Sequence, residues 1–197
     1  ASTNALLREE AAAGAPEGCV LIAGSQTNGR GRTGRSFYSP PDTGLYMSLL
    51  LRPSRCPAQK AKKYTIMAAV AACHAIESLS DKKPVIKWVN DIYMDGKKVS
   101  GILTEASVGL EDGFLDYVIL GIGINVYSPQ NGFPDELKDK AGAVFSEAMD
   151  DGKNRLAAAF LNCFMTLCQS PESPFYKEDY RKRSFLIGKK ILVLLPE

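Results

Sequence analysis

Between Val85 and Val126 the strand-length apolar runs follow one another too closely for a helix to fit between them. Val85–Trp88 leads into Ile92–Met94, Asp95-Gly96 makes a two-residue turn, and Lys97–Ser107 runs back. Glu111-Asp112-Gly113 then turns the chain into Phe114–Val126. Asp-Gly is a favoured pair for the type I′ turn, whose twist matches that of the strands it joins. Strands linked this tightly pair antiparallel, because a parallel pair needs a crossover of a dozen residues or more. The meander therefore predicts a sheet built from hairpins and not from alternating βαβ units.

The remaining segments supply layers to cover that sheet. Asn4–Ala13 reads as a short helix that Ser2 or Thr3 can cap. Cys19–Ala23 reads as a buried strand and Gly44–Arg52 as an alternating one. Ala58–Leu79, Ala-rich and flanked by Pro57 and Pro84, has helical spacing, as do Asn154–Cys168 and Pro174–Arg183. Ser128–Asp139 reads as loop. The fold class is α+β, a mixed but largely antiparallel sheet packed with helices. A last apolar run, 189–195, is expected to open a second small β domain. The chain starts at Ala1 and stops just after that run, so it is expected to be a piece of a longer protein.

Several function classes are set aside by composition. A net charge of +2 over 197 residues is not the strongly basic balance of a nucleic-acid-binding domain. Cys19, Cys56, Cys73, Cys163 and Cys168 form no C-x-x-C pair, which disfavours a disulfide framework or a zinc site and points to a reducing, cytoplasmic setting. No signal peptide stands at the start, and no apolar run is long enough to span a bilayer. His74, the one histidine, lies mid-helix with no partner suggested by spacing, so it reads as structural and hydrolases that depend on histidine rank low. The acidic residues make no metal-loop pattern.

Three motifs remain. Gly29-Arg30-Gly31-Arg32-Thr33-Gly34-Arg35 combines backbone freedom with guanidinium forks that match carboxylates and phosphates. It is either a solvated basic turn or an anion cradle. Its place after a strand, and the mutual repulsion of its arginines, favour the cradle. Lys87-Trp88-Val89-Asn90-Asp91 ends an apolar strand with a lysine that either snorkels to solvent or neutralises an anion in a cleft. In Leu120–Val126, Gly121 and Gly123 mark a bulge or a close approach by a ligand or another backbone.

Ser2-Thr3-Asn4, Gln26 with Gly29–Arg35, Lys87–Asp91 and Gly121–Val126 occur in this order in one family. Across essentially its whole length the chain resembles the catalytic domain of biotin–protein ligases, whose fold is like that of class II aminoacyl-tRNA synthetases. The resemblance implies a catalytic domain over 1–185 and, over 186–197, the first strand of a truncated C-terminal β-barrel. It implies two steps: biotin and ATP, with Mg²⁺, give biotinyl-5′-adenylate, and a lysine of a biotin carboxyl carrier domain then takes the biotin. Ser2, Thr3, Asn4, Gln26, Arg30, Gly31, Arg32 and Lys87 would bind biotin, and Lys87 and Arg32 would be catalytic. Arg35, Asn90 and Asn125 would face the nucleotide, and no residue is assigned to a resident metal. A homodimer is compatible with the family, and neither nucleic-acid nor membrane binding is supported. Val89 stands where the family pattern has proline, which relaxes the backbone before Asn90. Two rivals stay open. A lipoate- or octanoate-transferring enzyme shares the fold but would want a longer apolar tunnel. A non-catalytic biotin or nucleotide sensor would leave the carrier unmodified.

Overall fold

The computed structural model describes residues 1–109 and 113–192. In chain order the elements are α1 (Thr3–Ala12), β1 (Val20–Ala23), β2 (Gly44–Leu51), α2 (Lys62–Leu79), β3 (Val85–Lys87), β4 (Asp91–Met94), β5 (Lys97–Val108), β6 (Leu115–Asn125), α3 (Gly152–Gln169) and α4 (Phe175–Arg183). The six strands form one sheet in the order β1-β2-β6-β5-β4-β3, with every strand pair antiparallel. Asp95 and Gly96 both take positive φ, 51° and 78°, as the predicted hairpin turn requires. The turn expected at Glu111-Asp112-Gly113 lies outside the described residues except for Gly113. Residues 189–192 form no strand, and 193–195, the rest of the expected last strand, also lie outside the described residues.

Alternation along β6 assigns the two faces of the sheet. Leu120, Ile122 and Ile124 point into a core roofed by α2 and α3, where Ala68, Ala69, Ala71 and Ala72 of α2 are fully buried. Small side chains let the helix axis lie close to the sheet, so the alanine run is a packing feature. On the opposite face α1 buries Leu7 and Ala11 against Leu50 and Ile119. Ser2 caps α1 by accepting from the Ala5 amide at 3.2 Å.

Two strand expectations are corrected by strand order. β1 is not buried: it is an edge strand, with Val20 36% and Ile22 53% exposed. β2 does not alternate: it lies second in the sheet between α1 and the α2–α3 layer, and all eight of its residues are buried. His74 gains a partner from far along the chain, its Nε2 lying 2.8 Å from Asp179 Oδ2 on α4. Arg183 closes that cluster with two bonds to Glu77, at 2.6 and 3.0 Å, and 3.1 Å contacts to Asp179. The five cysteines are unpaired. Burial pushes the Cys73 thiol up to about 12 and the Cys168 thiol to about 11, which keeps both protonated and unreactive at neutral pH.

Candidate active site

The half of the second face that α1 leaves uncovered is hollowed by glycines. Gly101 pairs with Gly123, and Leu103 with Gly121, in adjoining strands. A Cβ at position 121 would run into the Asn4 side chain, and one at 123 would come within 2.7 Å of the Phe37 ring. Within the protein, the close approach that these glycines allow is made by side chains, and both glycines also line the hollow. The hollow becomes a cavity of about 380 Å³.

Part of the cavity lining is a wall of interlocked polar groups. Ser2, Thr3 and Asn4, at the start of α1, are only 3%, 5% and 5% exposed. The Thr3 amide donates to Gln26 Oε1 at 3.0 Å, and Gln26 Nε2 donates to Ser39 Oγ at 2.9 Å. Ser48 Oγ, on β2, lies 2.6 Å from Asn4 Oδ1 and 2.8 Å from Thr3 Oγ1. Asn4 Nδ2 donates to the Leu103 carbonyl at 3.2 Å and to Glu105 Oε2 at 2.9 Å. Both ends of the Asn4 amide are thus committed within the protein, and an orientation with every partner satisfied is stiff.

The arginine motif, which also lines the cavity, is folded as a small finger. Phe37 N donates to Gly29 O at 2.9 Å and Gly31 N to Arg35 O at 2.6 Å, with Arg30 and Ser36 paired between them. The tip is a single 3₁₀ turn, Arg32–Gly34, in which Thr33 and Gly34 take φ of 53° and 75°. Gly29 is held at the base, where a side chain would strike the Phe37 carbonyl. Phe37 meets Tyr46 edge-on with ring centroids 6.4 Å apart, and burial pushes the Tyr46 hydroxyl up to about 12. The expected repulsion among the arginines is relieved inside the chain. Arg30 Nη1 is 3.2 Å from Glu105 Oε1, and Arg32 Nη1 donates to Asn90 Oδ1 at 3.2 Å.

The lysine motif enters from the end of β3. Lys87 is exposed, not buried in an apolar strand, because β3 is an edge strand; its Nζ lies 5.4 Å over the Tyr93 ring. Trp88 is 71% exposed beside it, and the Trp88–Val89 peptide bond is cis. Asn90 is anchored to β5, its Nδ2 donating to the Ile102 carbonyl at 2.9 Å while Ile102 N donates to the Asn90 carbonyl at 2.9 Å.

Ser2, Thr3, Asn4, Gln26, Arg30, Gly31, Arg32, Arg35, Lys87 and Asn90 all line this cavity. Asn125 does not: its Nδ2 donates to the Gly142 carbonyl at 3.0 Å and ties β6 to the segment that follows. Lys98 is an addition that no motif marked, with Nζ 2.7 Å from Asp91 Oδ1 and 5.8 Å over the Phe37 ring. Glu105, which holds Asn4 with one oxygen and Arg30 with the other, was also unmarked. Among the described residues no group of three His, Cys, Asp or Glu side chains could hold a metal ion.

A model of the biotin/lipoate A/B protein ligase family matches residues 1–125, which carry every one of those lining side chains. The chain belongs to that family. It is 46% identical over 147 residues to the bifunctional ligase/repressor BirA of Bacillus subtilis (strain 168), covering 75% of this chain and 44% of that protein. To the biotin–[acetyl-CoA-carboxylase] ligase of Mycobacterium tuberculosis it is 32% identical over 202 residues, covering 99% of this chain and 72% of that protein. The solved structure of the Aquifex aeolicus biotin protein ligase in complex with biotin and ATP superposes with a TM-score of 0.76 at 29% identity, over 95% of this chain and 76% of that one. The chain thus spans under half the length of the Bacillus relative. Its ligase-family sheet is the expected one, α+β and antiparallel throughout its strand pairs.

Proposed function

We propose that this ligase-family chain is an ATP-dependent biotin–protein ligase. The observation that carries the reading is one cavity lined both by a stiff neutral polar wall and by five cationic side chains: Arg30, Arg32, Arg35, Lys87 and Lys98. Biotin has the matching groups, a neutral ureido ring at one end and a carboxylate at the other. The Mycobacterium tuberculosis relative is a biotin–[acetyl-CoA-carboxylase] ligase by name, and the Aquifex structure holds biotin and ATP. A lipoate-transferring enzyme fits less well, since the wall offers hydroxyls and amides where an acyl chain would want an apolar tunnel.

In the first step a biotin carboxylate oxygen attacks the α-phosphorus of ATP, and the bond to pyrophosphate breaks. Two anions must meet, so preorganised cations lower the barrier by stabilising the charge that builds on the phosphate oxygens. Lys87 and Arg32 are assigned that task, with Arg30 along the carboxylate. Arg35 and Asn90 are assigned to the nucleotide side; Asn125 is not, given its bond to Gly142. Asp91, a cavity-lining carboxylate, lies 2.7 Å from Lys98 Nζ, and Mg²⁺ would enter with the nucleotide and screen its phosphate charge. In the second step a carrier lysine amine attacks the acyl carbon, and AMP leaves. A finger folded over the mixed anhydride would keep out water that would hydrolyse it.

The partner assigned is the biotin carboxyl carrier domain of a carboxylase, and the setting the cytoplasm. No helix of the described residues is long and apolar enough to cross a membrane. A homodimer would have a free sheet edge available at β1. The test is the mass of a carrier domain incubated with this chain, ATP and biotin. One added biotinyl group is expected; an unchanged mass would sink the ligase reading and favour a sensor.

A further inference from the structure

The loop that carries Asn90 is held from two sides. From the sheet, Asn90 exchanges two bonds with Ile102, both of 2.9 Å. From the opposite side comes α4, where Tyr180 Oη donates to the Val89 carbonyl at 2.9 Å. Tyr180 is 7% exposed, and burial pushes its hydroxyl up to about 12, so it stays a donor throughout the physiological range. The helix that presents it is itself fixed. Arg183 and Asp179 of α4 are bound to Glu77 and His74 of α2, and just beyond Arg183 the chain pairs back onto β3, with Phe185 N donating to the Ile86 carbonyl at 3.3 Å. The Phe185 ring packs 5.7 Å from Tyr93, the ring beneath Lys87.

We propose that Tyr180 is a positioning residue for adenylate formation: its bond to the Val89 carbonyl sets the Trp88–Asn90 loop and so the direction from which Lys87 and Asn90 face the cavity. Tyr180 is not among the residues that line the cavity, so its loss should spare biotin binding and slow the chemical step. The proposal rests on the ligase reading for its kinetic consequence and on geometry alone for the brace.

The test compares Tyr180→Phe with Tyr176→Phe, a control on the same helix whose hydroxyl donates instead to the Pro171 carbonyl at 3.0 Å. Two readouts are taken: biotin-dependent ATP–pyrophosphate exchange, and acrylamide quenching of Trp88, the one tryptophan of the chain. Tyr180→Phe is expected to lower kcat about tenfold, the rate equivalent of roughly one net hydrogen bond. KM for biotin should stay within about twofold of wild type, and Trp88 should become easier to quench. Tyr176→Phe should leave all three at wild-type values. Wild-type kcat in Tyr180→Phe would overturn the proposal, and so would equal losses in both variants with KM rising in step. If the wild-type chain shows no exchange, the ligase reading falls. The quenching comparison then decides on the brace alone, unchanged Trp88 accessibility overturning it.

Discussion

The two parts of the cavity lining are built on opposite terms. In the wall, Ser2, Thr3 and Asn4 are buried and Gln26 is half-buried, and its bonds run inward, to Ser39, Ser48, Leu103 and Glu105. Beyond its buried base at Gly29, the finger is largely exposed, with bonds to the body of the protein through Arg30–Glu105 and Arg32–Asn90. A neutral ring must be recognised by hydrogen bonds in set directions, so rigidity helps: a stiff wall spends less entropy on binding. An anion can be recognised by charge at several geometries, so that part can stay adaptable until the reacting groups arrive. Glu105 joins the two, one oxygen on each.

The largest predicted effect tests the charged part. Lys87→Ala should cut biotinyl-adenylate formation by a factor on the order of 10²–10³, as the loss of one preorganised donor typically does. Thermal unfolding should change little, since Lys87 is exposed and its Nζ lies over the Tyr93 ring. Pyrophosphate release at the wild-type rate in that variant would remove Lys87 from the mechanism.

Next comes the stiff part. Gly121→Ala places a methyl group on the Asn4 amide, which has no slack because both of its ends are bonded. Overpacking of this kind costs about 1–3 kcal/mol, so calorimetry should find biotin bound about tenfold or more weaker. Adenylate formation at saturating biotin should fall far less. Equal damage to both would mean that the two parts are not separate.

Glu105→Gln should divide the two parts most cleanly. A glutamine carbonyl can still accept from Asn4 Nδ2, whereas its amide cannot pair with Arg30. Partly exposed ion pairs contribute roughly 0.2–1 kcal/mol, so the adenylation rate should drop by no more than about fivefold while biotin affinity holds. Loss of biotin affinity without a rate effect would reverse the assignment.

The smallest effect concerns the base of the finger. Tyr46, beneath Phe37, and Tyr180 both have hydroxyls raised from 10.0 to about 12, burial being the first cause. The folded state therefore holds these protons more tightly than the unfolded chain. Their contribution to stability is fully present below pH 10 and is lost as pH climbs towards 12. Chemical denaturation should show a flat contribution up to about pH 10 and a decline above it, reduced in Tyr46→Phe. A decline that is unchanged in that variant would separate the finger base from the core.

The hairpins, the helices and the Gly, Arg and Lys side of the cavity were legible because each depends on local pattern: turn pairs, helical spacing, and clustered Gly, Arg and Lys. Ser2, Thr3, Asn4, Gln26 and Asn90 were marked only through the resemblance to biotin–protein ligases. What escaped depends on register and strand order. Ser48 and Glu105 are unremarkable in sequence and acquire their roles only because β2 and β5 lie on either side of β6. The same order makes β2 internal and β1 an edge, against the burial expected of each. Asn125 shows the converse. It ends a motif, yet the segment around Gly142 lies close enough to claim its amide. His74 and Asp179 are over a hundred residues apart, so no spacing rule could pair them.

The contrast between a preformed wall and an adaptable finger is tested most directly by amide hydrogen exchange, in the empty protein and with a non-hydrolysable biotinyl-adenylate analogue bound. Amides of residues 3–4 and 26 should exchange slowly in both states, and those of residues 30–35 should become slow only with the analogue. A finger as protected as the wall in the empty protein, or one still exchanging freely with the analogue bound, would contradict the account.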